Sequence, residues 1–161
     1  MNKQEFLKRA SAKNIKEMRG HDAPSYEWDI YFDNKKICNC WDDSYGGELD
    51  ISNYDGQSIE SIYNKIDKKS LWDKKYKWTT TLELLMYELQ SIGLVKKDEK
   101  KGVLVGKVNN YNIIGYKTSI PTTFKRWNDS KKAYQKIIDD AIKEGKEILN
   151  GEYLKTWGLN I

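Results

Sequence analysis

The sequence predicts an α+β fold in a single domain, with an antiparallel sheet of about five strands covered by four or five helices. Residues 26–54 alternate apolar and polar side chains between turn residues, a pattern typical of a three-stranded β-meander. Residues 103–117 repeat that alternation as a hairpin, while other segments place apolar residues three and four apart, as helices do. A chain of 161 residues is long enough for one core.

The first element is predicted to be a basic N-terminal helix over residues 1–20. Asn2 and Glu5 have the spacing of a capping box, and Gly20 provides a stop. This helix either covers the sheet with its basic face solvated or lies as a basic arm along nucleic acid.

The next element is the acidic meander, residues 26–54. Trp28 and Ile30 point to one face of the first strand, and acidic side chains point to the other. Asp33 and Asn34 tolerate positive φ, so they predict a tight turn into the second strand. Three strands with one apolar face need helices to cover that face.

The segment that follows, residues 57–93, is predicted to be helical. Asp55 or Ser58 can cap a short helix, and Thr80 with Glu83 forms a capping box for a longer one that ends at Gly93.

The last third of the chain is predicted to hold a hairpin and two helices. The hairpin of residues 103–117 turns around Asn109-Asn110. Residues 129–158 form the C-terminal helices, the first of them capped by Asn128 or Asp129 and ended by Gly145, and the second ended by Gly158.

Charge is distributed in blocks along the chain. Residues 1–20 carry six Lys and Arg against two Asp and Glu, a net +4, whereas residues 21–60 carry two against ten, a net −8. Residues 61–107 carry eleven against six and residues 108–161 nine against six, net +5 and +3. Either the acidic meander presents its carboxylates to a cationic partner, or the blocks neutralise one another within the fold. The candidate partner-binding carboxylates are Asp29, Asp33, Asp42, Asp43, Glu48 and Asp50.

Residues 65–78 combine lysines with aromatic side chains, which is typical of nucleic-acid binding. Ammonium groups neutralise phosphates, and aromatic rings stack on bases. In the alternative interpretation, Trp72 and Trp78 are core anchors surrounded by solvated lysines. The candidate nucleic-acid-binding residues are Lys65, Lys68, Lys69, Trp72, Lys74, Lys75, Tyr76 and Lys77.

Catalytic and cofactor signatures are not recognised, so we predict a protein that is not an enzyme and has no metal and no cofactor. Zinc would need four ligands. His21, Cys38 and Cys40 supply three, and the fourth would have to come from Asp42 or Asp43. The meander carboxylates could instead gather around Mg²⁺ for phosphodiester hydrolysis, but an acidic solvated face explains them more simply. The run from Gly102 to Lys107 is one residue short of a phosphate-binding loop.

In overall character the chain resembles small accessory proteins of bacteriophages and mobile elements, including anti-CRISPR inhibitors. The resemblance lies in its short length, abundant lysine and aromatic residues, and missing catalytic residues, and it carries no site residues. It implies a non-enzymatic inhibitor that binds a host defence effector, such as an RNA-guided nuclease or its guide RNA complex.

The alternative function is a nucleic-acid-binding accessory module, and a metal-dependent nuclease is a third. The apolar runs are too short to span a bilayer, and an export signal is not recognised, so we expect a cytoplasmic protein of a bacterial host with no membrane partner.

Overall fold

A computed structural model describes residues 1–20, 23–114 and 124–161, with the backbone alone over 124–130. The helices and strands follow in this order: α1 Lys3–Arg9, β1 Ala10–Met18, β2 Ser25–Phe32, β3 Lys35–Asp42, β4 Asp50–Asn53, α2 Ile59–Tyr63, a 3₁₀ turn Lys68–Leu71, β5 Trp72–Asp73, β6 Trp78–Thr79, α3 Leu82–Asp98, β7 Val103–Lys107, β8 Asn110–Ile114, α4 Phe124–Lys143 and α5 Gly151–Thr156. The α+β class with an antiparallel sheet is confirmed.

The chain forms two compact units, residues 1–93 and residues 94–161. The first unit contains a four-stranded antiparallel sheet in the order β1-β2-β3-β4 and the small β5-β6 hairpin, and the second contains the β7-β8 hairpin and the C-terminal helices. Whether the two units behave as the single domain that the length suggests stays a prediction.

The predicted meander is present as β2, β3 and β4. Asp33 and Asn34 both have positive φ, 49° and 65°, so the turn between β2 and β3 has the backbone that joins twisted antiparallel strands. The hairpin register places Trp28 opposite Cys40 and Ile30 opposite Cys38 on the buried face. This apolar face is the inner face of the sheet.

The prediction of a helix over residues 1–20 is wrong beyond Arg9. The capping box of Asn2 and Glu5 is present, but α1 ends at Arg9 and the chain continues as β1, which pairs antiparallel with β2. Asn14 has φ 54° at the point where the register with β2 shifts, so it forms a bulge. The pairing partner on β2 overrides the helical propensity of this stretch, and the sheet gains a strand.

Helices cover the inner face of the four-stranded sheet. The ring of Phe6 in α1 stacks on Phe32 with centroids 5.7 Å apart, and Tyr87 in α3 packs against the fully buried Trp28 at the same distance. Burying such aromatic rings supplies a large share of the apolar area removed from water.

The predicted ends of α3 need correction. Thr81, not Thr80, caps the helix by accepting a hydrogen bond from the amide of Leu84, and the Glu83 carboxylate accepts one from the amide of Leu49. The helix continues through Gly93 to Asp98, because Gly93 lies where β1 approaches the helix rather than at a C-terminal cap.

The second unit contains the predicted hairpin in a sheet of its own. Lys107 pairs with Asn110, so the turn is formed by Val108 and Asn109 and lies one residue earlier than predicted. The predicted end of the second strand, residues 115–117, lies outside the described residues. Buried Asn150 holds this unit together, donating to the carbonyls of Glu99 and Gly102 at 2.8 Å and accepting from the amide of Leu104 at 3.0 Å.

The C-terminal helices form as expected, with one shifted boundary. α4 starts at Phe124, so Asn128 and Asp129 lie inside the helix and do not cap it. Gly145 follows its end with φ 72°, and Gly158 follows α5 with the same φ, as predicted for helix stops. The core of this unit is formed by Val103, Val105, Tyr134, Ile138, Ala141, Leu154 and Leu159.

Candidate nucleic-acid interface

The lysine-rich residues 65–78 contain a short hairpin, not a continuous helix. A 3₁₀ turn leads into β5, and the tip is closed by Asp73, which accepts hydrogen bonds from the amides of Lys75 and Tyr76 at 2.8 and 3.0 Å. The amide of Lys77 donates to the carbonyl of Asp73 at 2.8 Å. We call residues 72–79 the aromatic hairpin. Its base is anchored by the buried Leu71, whose carbonyl accepts from the amide of Thr80.

The three aromatic side chains of the aromatic hairpin are exposed. Trp72, Tyr76 and Trp78 are 49%, 54% and 51% accessible to solvent. The interpretation of Trp72 and Trp78 as core anchors is therefore wrong. Trp72 pairs with Thr79 and Trp78 with Asp73, so the two indoles project from opposite faces of the ribbon.

Tyr76 and Trp78 form a stacked pair on one face of the aromatic hairpin. Their ring centroids are 5.2 Å apart with an angle of 22° between the planes. The ammonium of Lys75 lies 5.0 Å from the centroid of Tyr76. The pair holds both rings in a fixed orientation while half of each remains exposed, which reduces the entropy lost when a base stacks on them.

Lysines surround these rings. The ammonium of Lys68 lies 4.5 Å from the ring centroid of Tyr63, and this contact holds the charge of Lys68 beside that ring. Residues 65–78 contain six lysines and two aspartates, a net charge of +4. The lysines are all exposed: Lys65, Lys68, Lys69, Lys74, Lys75 and Lys77.

Lys77 has a left-handed backbone with φ 58°. This conformation costs a residue other than glycine about 1 kcal/mol. Turns in this conformation favour Gly or Asn. A lysine at this position therefore places a charge at the tip of the hairpin, although its backbone conformation is unfavourable. Residues in such conformations cluster at functional sites.

The predicted carboxylates of the meander are divided between internal and external roles. Asp29 is only 7% exposed. It accepts hydrogen bonds from the side chains of Asn14 at 2.8 Å, Asn39 at 3.1 Å and Lys36 at 2.9 Å. Burial alone would raise the pKa of Asp29, but these hydrogen bonds outweigh it and hold the pKa below its usual range. Asp29 is thus a structural group of the sheet.

Two more of these carboxylates make internal contacts. Asp33 pairs with the guanidinium of Arg9, which lowers the pKa of the carboxyl. Asp42 accepts from the amide of Ser44 at 2.9 Å and from the hydroxyl of Tyr87 at 3.0 Å. Burial and then this bond to Asp42 raise the pKa of Tyr87. Within the chain, therefore, Lys36 neutralises Asp29 and Arg9 neutralises Asp33 at the surface, whereas the amide and the hydroxyl that donate to Asp42 are uncharged.

The remaining three carboxylates are exposed. Asp43 and Glu48 belong to the loop between β3 and β4, and Asp50 begins β4. Asp43 accepts a hydrogen bond from the amide of Tyr45, which shapes the loop. Binding of a partner by the six carboxylates stays a prediction. These three carboxylates are accessible for it, as is Asp33, which lies exposed beside Arg9.

Metal ligation has no geometric support in the described residues. Among residues 1–20, 23–114 and 131–161, no group of three or more His, Cys, Asp or Glu side chains could hold a metal ion. His21 lies outside the described residues. Cys38 and Cys40 are buried free thiols, and a hydrogen bond that the Cys40 thiol donates to Cys38, together with burial, raises the pKa of Cys40, so its thiolate is disfavoured.

Some features of the surface were not recognised from the sequence. Lys36 neutralises Asp29, although its place beside Asp29 depends on a bulge between β2 and β3. Trp41 belongs to β3 but lies on the exposed outer face, and the alternation with buried Cys40 is the signal that would have found it.

In the part of the chain that the structure describes, no helix has the length and apolar character needed to cross a bilayer.

No protein-family model, curated protein or solved structure matches the chain.

Proposed function

We propose that this protein is a non-enzymatic nucleic-acid-binding protein whose interface is formed by residues 65–78, and that it prefers single strands. The observation that carries the proposal is the exposure of Trp72, Tyr76 and Trp78 within a ribbon whose lysines are all exposed. Large aromatic side chains stabilise a protein when their apolar surface is removed from water, and these three are not buried by the fold. A ligand that covers them would gain this free energy on binding.

The chemistry of the interface favours unpaired bases. In a duplex the base faces are stacked on one another, whereas in a single strand they are open to aromatic rings. Stacking on a ring contributes about 1–3 kcal/mol per base and is tolerant of sequence, and lysines contact the phosphates between the bases. The stacked pair of Tyr76 and Trp78 with flanking lysines supplies both contacts.

The direct test is a fluorescence titration of the full chain with a single-stranded oligonucleotide and with a duplex of the same length. We expect quenching of tryptophan fluorescence by the single strand and weaker binding of the duplex. The logarithm of the affinity should fall with the logarithm of the salt concentration, with a slope of about −0.7 for each phosphate neutralised. A flat salt response, or no binding at low salt, contradicts the proposal.

Substitutions separate the two contributions. Trp78→Ala should weaken binding about tenfold or more by removing a stacking ring, with little change in the salt slope. Lys77→Gly should reduce the slope by about 0.7 while raising stability, because glycine adopts a positive φ without strain. Lys100→Gln is the matched control, since Lys100 is an exposed lysine outside residues 65–78. A loss of affinity for the control equal to that of Lys77→Gly would mean that the net charge alone determines binding.

Inhibition of a host defence effector is the second proposal, and one observation favours it. The exposed carboxylates Asp43, Glu48 and Asp50 lie within eight residues that contain no lysine or arginine. Such a surface complements a cationic groove that normally holds phosphates.

The test of this second proposal is cleavage by a purified RNA-guided nuclease in the presence of the protein. Inhibition that is lost when Asp43, Glu48 and Asp50 are all changed to Lys in a folded variant supports it. Inhibition unchanged in that variant, or no inhibition by the native chain, removes these carboxylates from the proposal.

A further inference from the structure

The outer face of the four-stranded sheet, opposite to the face that α1 and α3 cover, contains a shallow concavity. Its volume is about 380 Å³. It crosses all four strands and is lined by Met18, Glu27, Asn39, Trp41, Asp50 and Ser52.

The strand register places an indole between two carboxylates. Trp41 lies opposite Glu27 in the β2-β3 ladder and opposite Asp50 in the β3-β4 ladder. Directly opposite residues have Cβ atoms about 5 Å apart and project to the same face. Trp41 is 47% exposed, so its ring is open to a ligand from the solvent side.

The charges around Trp41 favour a cation. The lining side chains include the carboxylates of Glu27 and Asp50 and no basic group. The amide of Asn39 donates to Glu27 at 3.3 Å and to Asp29 at 3.1 Å, which fixes the orientation of the Glu27 carboxylate. Lys16 approaches Glu27 at 3.4 Å, but its side chain is largely exposed, and a pair of this kind contributes little and is readily replaced.

We propose that this concavity binds an arginine side chain of a partner polypeptide. A guanidinium is planar and weakly hydrated, so it stacks on an indole more favourably than an ammonium does. Its N–H groups extend in the plane of the cation and can reach carboxylates on both sides of the ring. The row of Glu27, Trp41 and Asp50 offers this combination, and it is independent of the surface formed by residues 65–78.

The first experiment uses the full chain and two blocked tripeptides that differ in one group. One peptide is Gly-Arg-Gly, and the other has citrulline, the neutral isostere, in place of arginine. Binding is followed by the indole N–H resonance of Trp41 in two-dimensional NMR. We expect a saturable shift with the arginine peptide and at least about tenfold weaker binding of the citrulline peptide.

Variants then locate the site. Asp50→Asn and Glu27→Gln should each weaken the arginine peptide several-fold, and Trp41→Leu should abolish binding while the remaining spectrum stays that of the folded chain. Glu48→Gln is the matched control, because Glu48 is an exposed carboxylate near this row that does not line the concavity. It should leave the affinity unchanged, since it alters net charge alone.

Three results would overturn the proposal. Equal binding of the citrulline peptide would show that the charge is not recognised, and no shift of the Trp41 resonance at peptide concentrations up to about 10 mM would show that the site is not formed. Self-association that depends on Trp41 in sedimentation would assign this face to a second copy of the chain. Nucleic-acid binding should be unaffected by Asp50→Asn, so failure of this proposal is distinguishable from failure of the proposed function.

Discussion

At the scale of single residues, Asp29 shows how one carboxylate of the acidic block is neutralised. Three side chains from two other strands donate to it, and Lys36 also donates to the hydroxyl of Tyr54 at 3.0 Å. These contacts to Tyr54 and Asp29 raise the pKa of Lys36. The folded-state pKa of Asp29 lies below its unfolded value of about 4. Its charge therefore stabilises the fold above that pH, and the contribution is lost as the pH falls through the folded pKa.

Asp29→Asn should destabilise the sheet by about 2–4 kcal/mol at pH 7. The substitution keeps the shape but turns an amide N–H₂ toward groups that themselves donate, and it leaves Lys36 without its carboxylate. Urea unfolding followed by far-UV circular dichroism measures the change. The difference from the native chain should shrink as the pH falls through the folded-state pKa of Asp29, because Asp29 of the native chain then becomes protonated as well.

The control for this prediction is Asp43→Asn, which removes a carboxylate of the same sequence block from an exposed position. A change of less than about 0.5 kcal/mol is expected for it. An Asp29→Asn variant that is as stable as this control would show that the Asp29 contacts add nothing to the fold.

At the scale of elements, the sequence predicts those whose signals are local. The turn at Asp33 and Asn34, the cap at Ser58 and the stop at Gly145 depend on a few neighbouring residues, and all three form. The strand β1 could not be predicted, because its residues favour a helix and only the partner strand β2 makes them extended. Periodicity describes a segment alone, whereas strand pairing depends on residues elsewhere in the chain.

The composition of the sequence predicts where the candidate interface lies, but it does not predict that the aromatic side chains of this interface are exposed. Residues 65–78 can be recognised from the sequence because they contain six lysines together with three aromatic residues. Whether Trp72 and Trp78 lie in a core or in water depends on tertiary packing, and a tryptophan is compatible with both. For the same reason, the sequence does not show which carboxylates form ion pairs within the chain. Arg9 contacts Asp33, and Lys36 contacts Asp29, only because the fold brings them together.

Gly93 is a position in α3 where the close approach of β1 leaves no room for a side chain. A Cβ atom at this position would lie 2.7 Å from Cδ1 of Ile15 and 2.9 Å from the carbonyl oxygen of Ala12 in β1. Gly93→Ala should therefore destabilise the protein by about 1–3 kcal/mol, although alanine favours a helix by about 1 kcal/mol. Thermal unfolding of Gly93→Ala beside Ser91→Ala, which gains helix propensity without this clash, measures the difference. A stabilised Gly93→Ala variant would mean that β1 yields to the new methyl group.

At the scale of the whole molecule, a net charge of +4 gives little indication of where partners bind. The basic excess of residues 61–107 is concentrated on the exposed lysines around the aromatic hairpin, whereas half of the predicted carboxylates are used within the fold. Each ion pair removes one positive charge together with one negative charge, so the pairs of Asp29 with Lys36 and of Asp33 with Arg9 leave the net charge unchanged. The potential that steers a polyanion therefore depends on where the exposed lysines are concentrated.

This distribution predicts how nucleic-acid binding depends on pH. Residues 65–78 contain no histidine and no cysteine, the side chains whose charge most readily changes near neutral pH. Affinity for a single strand should therefore change by less than about threefold between about pH 5.5 and 8.5. Fluorescence titration at constant ionic strength measures the profile, and circular dichroism at each pH verifies that the chain is folded. A tenfold change within the flat range would place a titrating group other than lysine at the interface, and the assignment of phosphate contacts to these lysines would then be wrong.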